Sequence, residues 1–357
     1  MVDITVHGAG IFGLSVAWSC VRRGASVRVI DPGGVGAGAS GGLVGALAPH
    51  VPEHWNAKKQ FQFESLIMAQ AMWAQVAHHA GVDPGYARLG RVQPVLEQAT
   101  LPRARTRATG AQTHWHQPFV WEVIPADSYA GYAPSPTGYL IRDTLSARLH
   151  PRKATAALAR ALTSLGVEIV ADGPARGVQV WATGAAGLNE VSATLGANVG
   201  TSVKGQAAVL DYDARDMPQL FVDGLHIIPH ADGTTAIGST LERVFDAPSA
   251  TDAQLDALIA KARELCPALA RARVLDRWAG LRPRARSRAP MLGHHPTKSG
   301  AFIANGGFMI GFGIAPKAGE VMATLILEGT NNIPADFRPE ASLPQAAPLR
   351  SLTPPIP

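Results

Sequence analysis

The stretch "VHGAGIFGLSVAWSCVRRGASVRVID", residues 6–31, constrains the fold more than any other part of the chain. Gly8, Gly10 and Gly13 follow the apolar run "ITV" and lead into a helix-like segment that ends at Gly24. A strand that turns tightly into a helix needs glycine at three places: where the backbone bends, where it approaches a pyrophosphate, and where helix packs on strand. The helix N-terminus then offers free N–H groups to the phosphates. Gly8, Gly10, Ile11, Phe12 and Gly13 are therefore expected to border the cofactor. The second strand, "SVRVID", ends in Asp31, about 20 residues past the glycines, where a carboxylate accepts from a ribose hydroxyl and repels a 2′-phosphate. In a chain with 37 glycines the spacing alone is weak; the ordered strand, helix, strand and acid make it specific.

The pattern then changes several times. "PGGVGAGASGGLVGALAPH" is too rich in small residues for a long helix and reads as a second loop against the cofactor. "NAKKQFQFESLIMAQAMWAQVAHHAG" reads as one helix stopped by Gly81. From about residue 86 to 140 come short strand-like pieces, including "GRVQPVL" and "FVWEVIP". A helix opening near Pro151 and stopping at Gly166 restores the α/β pattern, and "GVQVWATGAAG" is an apolar strand entering a glycine-flanked turn. Residues 205–243 are strand-like, with a hairpin turn at Asp232-Gly233. "TDAQLDALIAKARELCPAL" is an amphipathic helix capped by Thr251 or Asp252. "SGAFIANGGFMIGFGIAPKAGEVMATLILEG" supplies a strand, a glycine-rich loop and a closing helix. The proline-rich tail from Asn331 is expected to dock only at its start.

With 46% apolar and 17% charged residues, the chain has the composition of an ordinary globular protein. No apolar run reaches the roughly 18 residues of a membrane span, and the first residues already read as strand, so a cytoplasmic location is expected. Cys20 and Cys266 have neither disulfide-framework nor metal spacing, and no metal site is expected. The net charge of +5 comes from scattered arginines, which fit a solvated surface better than a nucleic-acid footprint.

The ordered set "HGAGIFG", "ID", "GAGASGG", "WATGAAG", "GLRP" and "GGFMIGFGIAPKAGEVMA" resembles the D-amino-acid-oxidase superfamily of flavoenzymes, with glycine oxidase and sarcosine oxidase as its nearest members, over nearly the whole chain to about residue 330. The resemblance implies an α/β (α+β overall) fold: a Rossmann-type FAD-binding domain of residues 1–85, 142–204 and 276–330, and an inserted antiparallel β-rich substrate domain of residues 86–141 and 205–275, with 331–357 as the tail. It implies FAD rather than NAD, with Gly8, Gly10, Ile11, Phe12 and Gly13 at the pyrophosphate and Asp31 at the adenosine ribose. Ala39, Ser40 and Gly41 would lie near the flavin, Thr183 and Gly184 near the adenine side, and Gly311, Phe312, Gly313 and Ile314 at the pyrimidine end. No cysteine stands near that last loop, so FAD is expected to be non-covalent.

The implied reaction is hydride transfer from the carbon beside a neutral amine to flavin N5, followed by imine hydrolysis, with dioxygen as the usual acceptor. Arg282, in "GLRP", matches the arginine that pairs with a substrate carboxylate. His50 and His226 are further candidates to face the substrate, whereas His294 and His295 read as a polar turn. Two departures stand out: Ser287 replaces a common acid, and His226 replaces a tyrosine. With Arg284, Arg286 and Arg288 they suggest a more cationic pocket. Two alternatives remain at this level. One is a tRNA wobble-uridine oxidase-like module, with Arg103, Arg105 and Arg107 on phosphates; the other is an amine dehydrogenase with a non-oxygen acceptor. Oligomeric state is not readable.

Overall fold

The computed structural model describes residues 3–344. Two large sheets organise it. The first has six strands in the order Met291–His294, Phe302–Asn305, Val178–Trp181, Asp3–His7, Ser26–Ile30 and Glu168–Val170. All neighbours are parallel except the first pair. Asp3–His7, the strand that feeds the glycine turn, lies inside the sheet, and the helix Ile11–Val21 that follows it is buried nearly all round. That helix packs with Gly311–Glu328 and Pro151–Ser164, and Ala57–Ala80 packs on those two in turn. Leu14, Val16, Leu158 and Ile314 are fully buried in this core.

The long helix begins and stops where its punctuation predicts. Asn56 Oδ1 accepts the Lys59 N–H at 3.1 Å, and Gly81 adopts the left-handed conformation (φ +64) that ends a helix. Asp252 caps Ala253–Leu265 by accepting the Gln254 N–H at 2.9 Å. The Asp232-Gly233 turn joins Leu225–Pro229 to Thr235–Gly238, with Gly233 at φ +84.

The second sheet has eight strands in the order Val274–Ala285, Gly200–Leu210, Thr235–Gly238, Leu225–Pro229, Gln219–Val222, Arg91–Pro94, Tyr139–Asp143 and Trp121–Pro125. It has its own core, in which Leu255 and Ile259 of the Ala253–Leu265 helix meet Ala208, Leu220 and Ile237. A two-stranded piece, Ala46–Leu47 with Ala147–Arg148, completes the sheets.

Three readings change. Residues 142–143, expected in the nucleotide domain, complete the strand Tyr139–Asp143 of the eight-stranded sheet. Residues 200–204 and 276–285, expected there too, belong to the same sheet. The reason is one long antiparallel pairing that runs from Gly200 opposite Ala285 to Leu210 opposite Val274, so neither strand can be divided between domains. Within the expected strand-rich stretch, Leu101–His114 is a helix. The tail docks further than its start: Phe337 is buried against Phe61, and the buried Ser342 bonds Ser287 at 3.1 Å. Residues 345–357 of the predicted tail lie outside the described residues.

Candidate active site

A cleft of about 960 Å³ runs between the two sheets. At one end is the glycine turn. Gly8 holds φ +111, and a Cβ there would overlap the Ala182 carbonyl oxygen, so only glycine lets this turn close on the 182–183 turn. Gly10 lines the cleft, and a Cβ on it would stand 3.2 Å from Ser40 Oγ. Ser40 Oγ itself accepts the Ile11 N–H at 2.9 Å. Asp31 accepts the Ala9 N–H on one oxygen at 2.7 Å and the Gly33 N–H on the other at 2.9 Å, so the acid also ties the turn to the end of the second strand.

Four helices start at the cleft wall: Ile11–Val21, Pro151–Ser164, Gly184–Leu195 and Gly311–Glu328. The first N–H groups of each lack intrahelical partners and carry the positive end of the helix dipole. Their convergence makes the cleft receptive to a long ligand bearing anionic groups at more than one point.

Of the residues expected at the site, Gly8, Gly10, Ile11, Phe12, Asp31, Ala39, Ser40, Thr183, Gly184, Gly311, Phe312, Arg282 and His226 line this one cleft. Gly13, Gly41, Gly313, Ile314 and His50 do not. Gly13 serves packing, since a Cβ would overlap the Gly8 carbonyl oxygen; Gly41 has the same relation to Gly36. Helical periodicity turns Gly313 toward Leu66 and sends Ile314 into the core. His50 spends its backbone N–H (2.8 Å) and its Nδ1 on Gln62 Oε1, which fixes a loop.

Arg282 is buried at 8% exposure. Its Nη1 donates to Ser239 Oγ at 2.7 Å, and Nη2 donates to the carbonyls of Lys204 (3.3 Å) and Thr240. Nε has no partner, and the guanidinium stands 5.8 Å from the Phe308 ring centroid. Burial pushes its pKa down to about 10, partly offset by Glu242, which leaves it charged at neutral pH. His226 packs on Phe221 at 4.6 Å and is held neutral, its pKa lowered to about 3 by burial and by the nearby Arg91 cation.

The wider cationic pocket is corrected: of Arg282, Arg284, Arg286 and Arg288, Arg282 alone lines the cleft. Arg284 stands 5.3 Å from the Phe308 ring centroid, and Arg286 donates to the Leu343 carbonyl. Ser287 bonds to the docked tail and to Ala289. The polar-turn reading fails for His294, which ends the strand Met291–His294; His295 opens the following turn, where its Nδ1 accepts the Thr297 N–H at 3.3 Å, and it is buried beside Trp181, where desolvation lowers its pKa to about 4. Trp278, Ser239 and Phe308 line the cleft without having been expected. A faint signal existed only for Phe308, a large residue among the glycines of "NGGFMIGFG".

A profile of the DAO family, described as FAD dependent oxidoreductase, matches residues 3–325. This chain belongs to that family. The putative thiamine biosynthesis oxidoreductase ThiO of Rhizobium etli is 30% identical over 91% of this chain and 97% of its own length. Glycine oxidase of Bacillus licheniformis is 24% identical over 91% and 93%. The fold is that of glycine oxidase from Bacillus cereus (TM-score 0.81, 20% identity, 93% of this chain and 96% of that one) and of iminodiacetate oxidase from Chelativorans sp. BNC1 (TM-score 0.81, 20%, 94% and 98%). As an FAD-dependent oxidoreductase the chain needs a cradle for a dinucleotide, and the side-chain-free Gly8 and Gly10, the Asp31 carboxylate and the converging helix ends fit one. Neither cysteine lines the cleft; both are buried and free. Among the described residues there is no cluster that could hold a metal ion, and no helix is long and apolar enough to cross a membrane.

Proposed function

We propose that this oxidoreductase acts on the C–N bond of a small amino acid or secondary amine bearing a carboxylate, of the glycine, sarcosine or D-amino-acid type. One observation carries the reading: Arg282 is a buried cation in the cleft wall with no carboxylate paired to it among the described residues. A buried charge without a counterion is costly, and a substrate carboxylate supplies the missing partner. A guanidinium fixes both the position and the tilt of a carboxylate. The name of one relative, glycine oxidase, points to the same chemistry.

Bound FAD supplies the acceptance of two electrons as hydride. Every other task falls to the chain. Gly8, Gly10, Ile11 and Ser40 would hold the pyrophosphate, Asp31 the ribose, and the N–H groups at Gly311 and Phe312 the pyrimidine end, where they favour negative charge. Arg282 holds the carboxylate. His226 stays uncharged at neutral pH, so it adds no second cation to the cleft wall. Leu43, Val44, Trp278 and Phe308 make the walls apolar and exclude water from the reacting carbon. Dioxygen serves as the acceptor that completes the cycle, giving hydrogen peroxide, and the imine product hydrolyses in solution.

Arg103 and Arg107 both pair with Glu53 (2.7 and 2.8 Å) and Arg105 lies over Tyr139, so no specific observation favours the RNA alternative over the amine reading. The deciding experiment is anaerobic bleaching of the flavin absorbance by glycine, sarcosine, proline and D- and L-amino acids. Bleaching by one class is expected, with peroxide appearing under air. An FAD-loaded protein that none of them bleaches overturns the reading, and turnover that needs a quinone overturns the oxygen part.

A further inference from the structure

The strands Val274–Ala285 and Gly200–Leu210 place Arg282 opposite Val203, Gly280 opposite Gly205, and Trp278 opposite Ala207. Directly opposed residues of an antiparallel pair project to the same face. Gly205 and Gly280 thus form a bare floor, and two long side chains of one strand fold over it from either end. A Cβ on Gly205 would overlap the Arg282 guanidinium; a Cβ on Gly280 would overlap the Trp278 indole. Neighbouring strands lie only about 4.7–4.9 Å apart, so guanidinium and indole lie side by side over adjacent glycines. The indole also reaches the opposite wall: a Cβ on Gly42, in the loop that follows Ser40, would stand 3.3 Å from Cη2. Trp278 is half-buried and borders the cleft.

We propose that Trp278 is the specificity-determining residue, limiting the substituent on the α-carbon of the substrate. The inference rests on the carboxylate reading of Arg282. With the carboxylate on the guanidinium, the α-carbon is one bond away, over the glycine floor, and the indole closes the space beside it. Hydrogen or methyl fits there; a longer chain meets an aromatic wall that spans from the sheet to the Gly42 loop. An N-substituent lies one atom further from the carboxylate and is not measured by this wall.

The test uses FAD-loaded wild type, Trp278→Leu and the shape-retaining Trp278→Phe, with two substrate series. One series grows at the α-carbon (glycine, alanine, norvaline, both enantiomers), and the other grows at nitrogen (sarcosine, N-ethylglycine). In wild type kcat/KM is expected to fall along the first series. Trp278→Leu is expected to raise the norvaline-to-glycine ratio by about tenfold or more, the range that one or two methylenes command in an apolar pocket. Trp278→Phe should give a smaller rise in the same direction, and the ratio along the nitrogen series should stay as in wild type. An unchanged α-series ratio in either flavin-loaded variant overturns the proposal, as does wild type that oxidises norvaline as well as glycine, or a gain confined to the nitrogen series. A wild type that no carboxylate-bearing amine reduces refutes the underlying function, and is told apart from failure of this proposal by its unbleached flavin.

Discussion

Arg282 has five N–H groups and only neutral partners among the described residues, the Ser239 hydroxyl and two backbone carbonyls. Those partners hold the guanidinium in place without neutralising it, which suits a group whose counterion arrives with the substrate. A charged hydrogen bond of this kind is worth about 1.5–3 kcal/mol, so Arg282→Ala should lower kcat/KM by roughly ten- to a hundredfold, mainly through KM, while the flavin spectrum persists. Unchanged kinetics would remove Arg282 from the carboxylate site. Arg282→Lys should recover only part of the loss, because an ammonium keeps the charge and lacks the fork. His226 makes the opposite kind of contribution. Its pKa lies near 3, so its neutral form persists throughout pH 5–8 and it contributes no inflection there. Wild type and His226→Gln should therefore show pH–rate profiles of the same shape; an acid limb present in wild type and lost in the variant would show that His226 titrates in the working range.

At the scale of elements, local chemistry explains what was readable. The glycine turn, the Asn56 and Asp252 caps and the Gly81 stop each act over a few residues, and each stands where its signal lies. Leu101–His114 was unreadable because its cohesion is not local. Gly110 interrupts the pattern, and only Leu101, Ala104 and Ala111 are buried. The helix is held from outside by Glu53, which receives Arg103 and Arg107, and by the stacking of Trp55 on His114 at 4.6 Å. Trp278 was unreadable for a related reason: its place depends on the pairing of strands about 70 residues apart in sequence. The two arginines hold the Glu53 carboxyl down to about 2, from an ordinary 4.5. A carboxylate with a depressed folded pKa stabilises the fold above its unfolded value and loses that contribution as pH falls through the folded one. Glu53→Gln should thus destabilise by about 1 kcal/mol at pH 7, the scale of partly exposed pairs. The gap from wild type should close between pH 4.5 and 2 in denaturant melts. A gap that is the same at pH 7 and pH 2 would mean that volume or packing, not the ion pairs, carries the effect.

At the scale of the molecule, the cleft lies between two sheets with distinct hydrophobic clusters, one under the mainly parallel sheet and one under the mainly antiparallel sheet. Elements of both line it: the glycine turn and four helix N-termini from the first, Ala207, His226, Ser239, Trp278 and Arg282 from the second. A ligand filling this space binds the folded arrangement and not the unfolded chain, so FAD should raise apparent stability by mass action, about 2.7 kcal/mol at a hundredfold excess over Kd. Gly10→Val separates that gain from the intrinsic stability of the fold. Gly10 sits at φ −82 and ψ 177, backbone that valine adopts without strain, and the nearest obstacle to its Cβ is the Ser40 hydroxyl at 3.2 Å. The branched side chain would instead project into the cleft where the pyrophosphate is expected. The variant should purify colourless, melt close to the wild-type apoprotein, and show no rise in Tm when FAD is added, whereas wild type melts higher with each increment of FAD. A yellow variant whose Tm climbs with FAD as wild type does would place the pyrophosphate elsewhere in the cleft; a variant that melts far below the apoprotein would make Gly10 a packing residue like Gly13.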